Sequence, residues 1–437
     1  MHDPIACPGA LRARLASFCR KLPGRSARLS IRLGLLAAMA GCAVACAEEM
    51  SLPSTPDEAR QFERQDALAL SAFYDTPGTL AITGPGRLLR SELAGDYVLP
   101  PSATAVRILY HSLDASGRDV ATSGVVLIPS GKAPAGGWPV IAWAHGTSGV
   151  ARQCAPSAMK DVYYGEEGLY DFLKAGFAVV ATDYHGLGTE GPHQYINKLA
   201  QAQDVVYSLA AAREAVRDLG PRWVVDGHSQ GGLAAWGVAE LEARLKDSNY
   251  LGAVSVAGAV SMPQLLANTN GSSVARFYAA FMAFGLQARN PGLRPDEVLT
   301  DQEMRHYEAV TREGCWYYGY ASYLKEPKYA AFQPGLAELP AMKRFVEENS
   351  VGRAPIAGPV LVIAGEGDQS VPIDAVRAAV GTACKARLPV TFRSYPGLDH
   401  DPVMINSTPD QIAWIRARFA GEPAGDNCTA QTAAGHG

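Results

Sequence analysis

Gly227-His228-Ser229-Gln230-Gly231-Gly232 has the residue types and spacing to hold a nucleophile on a sharp turn. The apolar run Trp223-Val224-Val225 leads in, and a helix-like stretch from Gly232 to about Leu245 leads out. Strand, turn and helix therefore surround G-x-S-x-G. Glycine at 227 and 231 suits a turn so tight that larger side chains would collide across it. A serine hydroxyl is a poor nucleophile at neutral pH and needs a base to take its proton during attack. His400 can be that base, because Val390-Thr391-Phe392 leads to Tyr395-Pro396-Gly397-Leu398-Asp399-His400 and puts the histidine on the loop after a strand. Asp368 can hold the imidazole tautomer and stabilise the imidazolium. It follows the buried-strand run Val360–Ile363, in Gly365-Glu366-Gly367-Asp368. Glu366 is a second candidate acid, but Asp368 lies nearer the loop tip and precedes Ser370-Val371-Pro372. Asp399 and Asp401 flank His400 in sequence and are poorly placed to orient its ring. An N-cap role for Asp368 would leave the serine and histidine loops unexplained.

Acyl transfer at Ser229 also needs donors for a tetrahedral oxyanion. The amide of Gln230, next after the nucleophile, is one. The other is expected on the loop after the strand Val140–Ala144, in His145-Gly146-Thr147-Ser148-Gly149, with Thr147 donating through its amide or its hydroxyl. His145 reads as a brace for that loop and His228 as a packing residue of the turn. Gly186-Leu187-Gly188-Thr189-Glu190-Gly191 fits the dinucleotide pattern G-x-G-x-x-G. Pro192 follows at once, and helical periodicity resumes only near Asn197, so no helix N-terminus is placed to receive a pyrophosphate. A mobile or tightly turned loop is the better reading. There is no H-E-x-x-H, Cys-x-x-Cys or P-loop, and no metal or cofactor is expected.

The elements that must position these residues form a regular series. Thr104–His111 and Val120–Ile128 flank the turn-forming Ala115-Ser116-Gly117 as an antiparallel hairpin. The runs Trp138–Trp143, Phe177–Thr182, Trp223–Val225, Ala253–Val260 and Val360–Ile363 then alternate with helical patterns such as Ala202–Leu219. That alternation predicts an α/β fold with a mainly parallel sheet flanked by helices. It breaks between about Met262 and Pro355, where Ser273–Gln287, Thr300–Ala309 and Leu339–Glu348 read as helices among frequent prolines. We expect a first core part over 48–261 that opens with a Pro/Gly-rich N-terminal segment. A helical cap over 262–355 precedes the strand carrying the acid, a second core part covers 356–428, and 429–437 is a loose tail. Most cap aromatics should pack the cap itself, while a minority line an apolar substrate channel.

The chain has 437 residues, 48% hydrophobic and 19% charged, the balance of a globular protein. Its net charge of −4 hides an asymmetry, because residues 1–47 hold seven Lys/Arg and one Asp. The remainder carries 32 basic and 42 acidic residues, a net of −10, which repels nucleic acid and anionic membrane surfaces. Residues 1–47 read as an export signal, with basic residues from Arg12 to Arg32 before the apolar stretch Leu33 to about Ala47. Two processing patterns are open: A-x-A-like cleavage after Ala45-Cys46-Ala47, or a lipoprotein box Met39-Ala40-Gly41-Cys42 that leaves a lipid on Cys42. Cys7, Cys19, Cys42 and Cys46 fall in this segment, leaving Cys154, Cys315, Cys384 and Cys428. Four cysteines in an exported chain suggest two disulfides, with three pairings open.

Taken together, these motifs resemble the secretory lipase family of α/β-hydrolases, the yeast lipase A type. Phe73-Tyr74, Pro85-Gly86, Tyr110-x-Ser112 and Gly124-x-x-Leu127-x-Pro129 carry the likeness early in the chain. Ala142-x-Ala144-His145-Gly146-Thr147, Asp183-Tyr184-x-Gly186-Leu187-Gly188, the Ser229 turn, Gly367-Asp368 and His400 carry it further, over roughly 70–428. The resemblance implies an α/β-hydrolase fold with a helical cap, hydrolysis of carboxylic acyl esters or lipids, and disulfides Cys154–Cys315 and Cys384–Cys428. It also makes the cap the element that would touch a lipid surface. Other classes that the same residues could serve are a serine peptidase or acyltransferase, or a non-catalytic binding protein on the same scaffold.

Overall fold

The apolar runs become the middle of one twisted sheet in the computed structural model, which describes residues 52–428 apart from residue 79 and residues 81–83. The expected export segment, its four cysteines, the Cys42 lipoprotein site and the tail 429–437 lie outside the described residues. Nine strands are present among those described: β1 (Leu88–Ala94), β2 (Thr104–Leu113), β3 (Asp119–Ile128), β4 (Trp138–Ala144), β5 (Ala178–Thr182), β6 (Leu219–His228), β7 (Tyr250–Val256), β8 (Val360–Gly365) and β9 (Val390–Tyr395). Their order across the sheet is β1-β2-β3-β5-β4-β6-β7-β8-β9. The first three strands and the β3–β5 pair are antiparallel, and every pairing from β5 through β4 to β9 is parallel. Strands buried on both faces need apolar residues at every position. Val179-Val180-Ala181, Trp223-Val224-Val225 and Leu361-Val362-Ile363 are all essentially inaccessible.

Helices cover both faces. On one lie α3 (Lys198–Ala215) and α4 (Gln230–Leu245), whose Ala202, Val205, Leu209, Leu233 and Trp236 pack with Val140, Val180 and Val225. On the other lie α2 (Leu169–Lys174) and α11 (His400–Phe419), with Phe172, Met404 and Ile415 against Ile141, Val254 and Leu361. Each fully buried side chain of this kind contributes about 1.5–3 kcal/mol, so the sheet and its two helix layers form a rigid base for the loops at its edge.

Two features depart from a plain reading of the sequence. The Pro/Gly-rich N-terminal segment contains a helix, α1 (Pro56–Asp66), which Thr55 caps through the Glu58 amide with Pro56 in the first turn, and also the edge strand β1. Composition masked both. The apolar run to Val260 overshoots its strand, because β7 stops at Val256 and residues 257–260 form the loop that supports Ser229. Between β7 and β8 the chain forms α5 (Met262–Gly271), α6 (Tyr278–Arg289), α7 (Asp301–Arg312), α8 (Trp316–Leu324) and α9 (Pro340–Asn349). Helix α10 (Ile373–Lys385) follows β8. A disulfide from Cys154 to Cys315 ties α8 to the loop after β4, and a second joins Cys384 to Cys428. These are the pairs that the family likeness implied. Among the described residues, no helix is long and apolar enough to cross a membrane.

Candidate active site

Strand β6 runs straight into Ser229, which takes φ +58° and ψ −116°. A non-glycine residue held there stores about 1–3 kcal/mol of strain, so its neighbours must hold it. The Ser229 amide donates to the Val256 carbonyl at 2.9 Å, and its own carbonyl accepts from Leu233 at 3.2 Å and Ala259 at 3.1 Å. The flanking glycines make the turn sterically possible. A Cβ on Gly231 would lie 1.8 Å from the Ala144 carbonyl oxygen, and one on Gly227 would lie 2.3 Å from that of Gly231. Gln230 is the first residue of α4, where an amide has no intrahelical acceptor. Positive dipole and free amides thus converge beside the serine hydroxyl.

Asp368 follows β8 by three residues, and His400 opens α11 behind β9. The two are brought together at 2.7 Å, His400 Nδ1 to Asp368 Oδ2. The other carboxylate oxygen accepts from the amides of Ser370 at 2.9 Å and Val371 at 2.8 Å, so the acid is locked to its own loop. Asp368 does not cap the next helix, whose N-cap is Pro372 without a side-chain bond; one oxygen closes its own turn and the other faces His400. Glu366 instead accepts from the Ser394 hydroxyl. Burial alone would depress the His400 pKa, but the Asp368 carboxylate, then Asp401 and Asp399, raise it to about 9.

Ser229, Thr147 and His400 line one cavity of about 60 Å³ together with Tyr278, Trp316 and Asp401. Ser229, Thr147 and Gln230 line a second, of about 20 Å³, closed by Tyr195, Leu265 and Met282. Both are narrow, and the serine is only 8% exposed. Thr147 holds its hydroxyl 2.8 Å from that of Tyr195, and its carbonyl accepts from the Tyr163 hydroxyl. The hydroxyl is thus spoken for, which favours the amide as the donor. His145 braces the same loop, with its ring nitrogens against the carbonyls of Gly146 at 2.6 Å and Asp183 at 3.0 Å. The G-x-G-x-x-G loop is tightly turned and largely buried. Beyond it, His193 meets the Gln230 side chain at 3.1 Å.

His228 does more than pack. Its Nδ1 pairs with the Tyr164 hydroxyl at 2.7 Å and its Nε2 with the His400 carbonyl at 3.1 Å, while its ring lies 4.6 Å from the His400 ring. Donor atoms of His228, His400 and Asp401 come within 4.8 Å of one another. Both nitrogens of His228 are already engaged, so the trio is a hydrogen-bonded and electrostatic network rather than an open ligand set. Asp401 is what reasoning from the sequence undervalued. It does not orient the ring, which Asp368 does, but as the second residue of α11 it adds a carboxylate to the site wall. Tyr195 and His193 were missed because no motif marks a residue that supports another. A cavity of about 440 Å³ beside Asn197, Arg289 and Glu348 shares no lining residue with either cavity at Ser229.

The chain is also similar to known proteins. The family model described as secretory lipase matches residues 161–427, more than half of the chain. A Mycobacterium tuberculosis protein named "Probable inactive lipase MT1628" is 26% identical over 383 residues, covering 81% of this chain and 83% of its own. Among solved structures, Candida antarctica lipase A in its closed state aligns with a TM-score of 0.70 at 18% identity, over 82% of this chain and 88% of that one. The rice cell wall degrading esterase LipA from Xanthomonas oryzae aligns with a TM-score of 0.64 at 19% identity, over 77% of this chain and 99% of that one. The shared fold is the α/β-hydrolase fold.

Proposed function

We propose that this chain, which belongs to the secretory lipase family, is an exported serine ester hydrolase that works through an acyl-enzyme on Ser229. Family and fold support a hydrolase of the lipase and esterase kind. The assignment of residues rests on one observation above all, the 2.7 Å contact that joins His400 to Asp368 beside the strained Ser229 turn. Ser229 Oγ attacks the acyl carbon while His400 Nε2 takes its proton, and Asp368 steadies the imidazolium through Nδ1. The carbonyl oxygen becomes an oxyanion held by the amides of Gln230 and Thr147. Collapse breaks the ester bond, and His400 returns its proton to the departing alkoxide. Water, activated by the same histidine, then releases the acid. The two disulfides are what an oxidising compartment outside the cytoplasm would preserve, in keeping with export. The relative's name calls that protein inactive, whereas here serine, acid and base are all present and two are in contact.

The test is hydrolysis of p-nitrophenyl esters by the purified protein. Ser229→Ala should lower kcat by about 10⁶-fold, and a fluorophosphonate should label the wild type only. Activity that survives Ser229→Ala would sink the mechanism. Comparable cleavage of the matching anilide would point to a peptidase, and release favoured by an added alcohol over water to an acyltransferase.

A further inference from the structure

Beside the narrow catalytic cavities lies a much larger one, a groove of about 610 Å³ between α1 and the start of α8. That volume is within the roughly 300–1,000 Å³ range of ligand sites. Its walls include Phe62, Leu68, Met159, Tyr163, Trp316 and Tyr317, all half-buried, so they present apolar surface to the groove without being packed away. The wall is firmly built. Glu63 accepts from the amides of Cys315 at 3.0 Å and Tyr318 at 2.8 Å at the N-terminus of α8. Arg60 pairs with Glu313 at 2.6 Å and reaches the Tyr318 hydroxyl at 2.9 Å, and the Phe62 ring stands 4.6 Å from that of Tyr317. The Cys154–Cys315 disulfide fixes the same corner to the core.

Connectivity decides what such a groove can hold. Tyr163, Trp316 and Tyr317 line both the groove and the 60 Å³ cavity that contains Ser229 and His400. The groove shares no lining residue with the 20 Å³ cavity that contains Gln230. In the chemistry set out above, the leaving oxygen must lie against the base that reprotonates it, whereas the oxyanion faces the Gln230 amide. The alcohol portion therefore departs on the His400 side, toward the groove that shares this wall. The acyl substituent points away from the base, toward the 20 Å³ cavity that Ser229 lines and His400 does not, and this cavity exceeds only slightly the roughly 10–15 Å³ that one water-sized group needs. It suits an acetyl methyl better than a long chain.

Resting on the hydrolase reading, we propose that this enzyme selects esters of short acids with long apolar alcohols, and that the α1–α8 groove binds the alcohol. Octyl acetate and ethyl octanoate are isomers of equal size that place the long chain on opposite sides of the ester, so they separate the two arrangements directly. The expected result is a kcat/KM for octyl acetate at least about tenfold above that for ethyl octanoate. Along alkyl acetates it should rise up to about fourfold per methylene, the factor for burying one such group. Leu68→Trp, which fills the groove away from Ser229, should cut the ratio of octyl acetate to ethyl acetate turnover by about tenfold or more. In the Ser229→Ala protein, 1-octanol should bind by calorimetry, and Leu68→Trp added to it should abolish that binding. Faster cleavage of ethyl octanoate, or an unchanged ratio in Leu68→Trp, would overturn the groove assignment while leaving the hydrolase reading intact. Octanol binding without cleavage of either isomer would overturn the hydrolase reading and, with it, the claimed ester selectivity.

Discussion

On the proposed mechanism, replacing Asp401 with asparagine should raise activity at neutral pH, although it removes a carboxylate from the wall of the Ser229 cavity. The histidine base works only when neutral, and its pKa stands at about 9. At pH 7 a histidine held that far above its ordinary range is mostly protonated. Burial works against this charge; Asp368 does most to sustain it, and Asp401 and Asp399 add to that. Asp401 can be changed without touching the Asp368 contact. Its carboxylate comes within 4.8 Å of a His400 nitrogen. At that distance, effective dielectrics between 80 and 20 give about 0.9 to 3.5 kcal/mol, or about 0.6 to 2.5 pH units. The rising limb of kcat/KM should then move from near pH 9 toward pH 8 or below, and the rate at pH 7 should climb about four- to tenfold or more. Above pH 9 the variant should fall behind the wild type, because the imidazolium of the transition state has lost a stabilising charge. The assay is a pH profile of p-nitrophenyl acetate hydrolysis from pH 6 to 10, corrected for the uncatalysed reaction. A limb that stays in place, or moves upward, would refute the electrostatic role given to Asp401.

Other substitutions test the scaffold beneath the chemistry. Gly231→Ala places a methyl 1.8 Å from the Ala144 carbonyl oxygen, so it should cost more than about 3 kcal/mol in urea unfolding and most of the activity; a variant of normal stability would disprove the close-approach argument. Asp226, buried in β6, has its carboxyl pushed well above the usual range by burial, opposed by the Gly227 amide. A raised folded-state pKa means that stability is lost as pH climbs above about 4, where only the unfolded chain ionises. Asp226→Asn should therefore match the wild-type Tm near pH 4 and exceed it increasingly toward pH 8, and a constant gap across that range would contradict the assignment. Removing the Cys154–Cys315 bridge, which spans 161 residues, should cost up to about 5 kcal/mol by the chain-entropy relation. Denaturation of Cys154→Ala/Cys315→Ala checks this, and an unchanged midpoint would show that the bridge is dispensable.

The candidate residues Ser229, Asp368 and His400 and the sheet that presents them were legible because each sits in one short stretch of chain. A buried parallel strand is a short apolar run, and the loop at its end carries the chemistry, so motif and element lie together in the chain. The glycine spacing around Ser229 was readable as a pattern, although only at Gly227 is the nearest clash local, with the Gly231 carbonyl; at Gly231 the demand comes from the Ala144 carbonyl on β4. What the chain could not announce was anything arising from contact between distant segments. The helix α1 hides in a Pro/Gly-rich stretch, yet its Glu63 caps α8 some 250 residues away and its Phe62 walls a groove. Asp401 looked like a mere neighbour of His400, and only its position on the cavity wall beside His228 turns it into part of the electrostatics of the base. Tyr195 and His193 support the two oxyanion candidates through hydroxyl and imidazole contacts that no spacing rule encodes. By itself, then, the sequence determined which atoms are candidates for the chemistry, because reactivity is a property of residue type and nearest neighbours. The tertiary structure decided how charged those atoms are and which side of the ester has room, because field and volume are set by whatever the fold brings alongside.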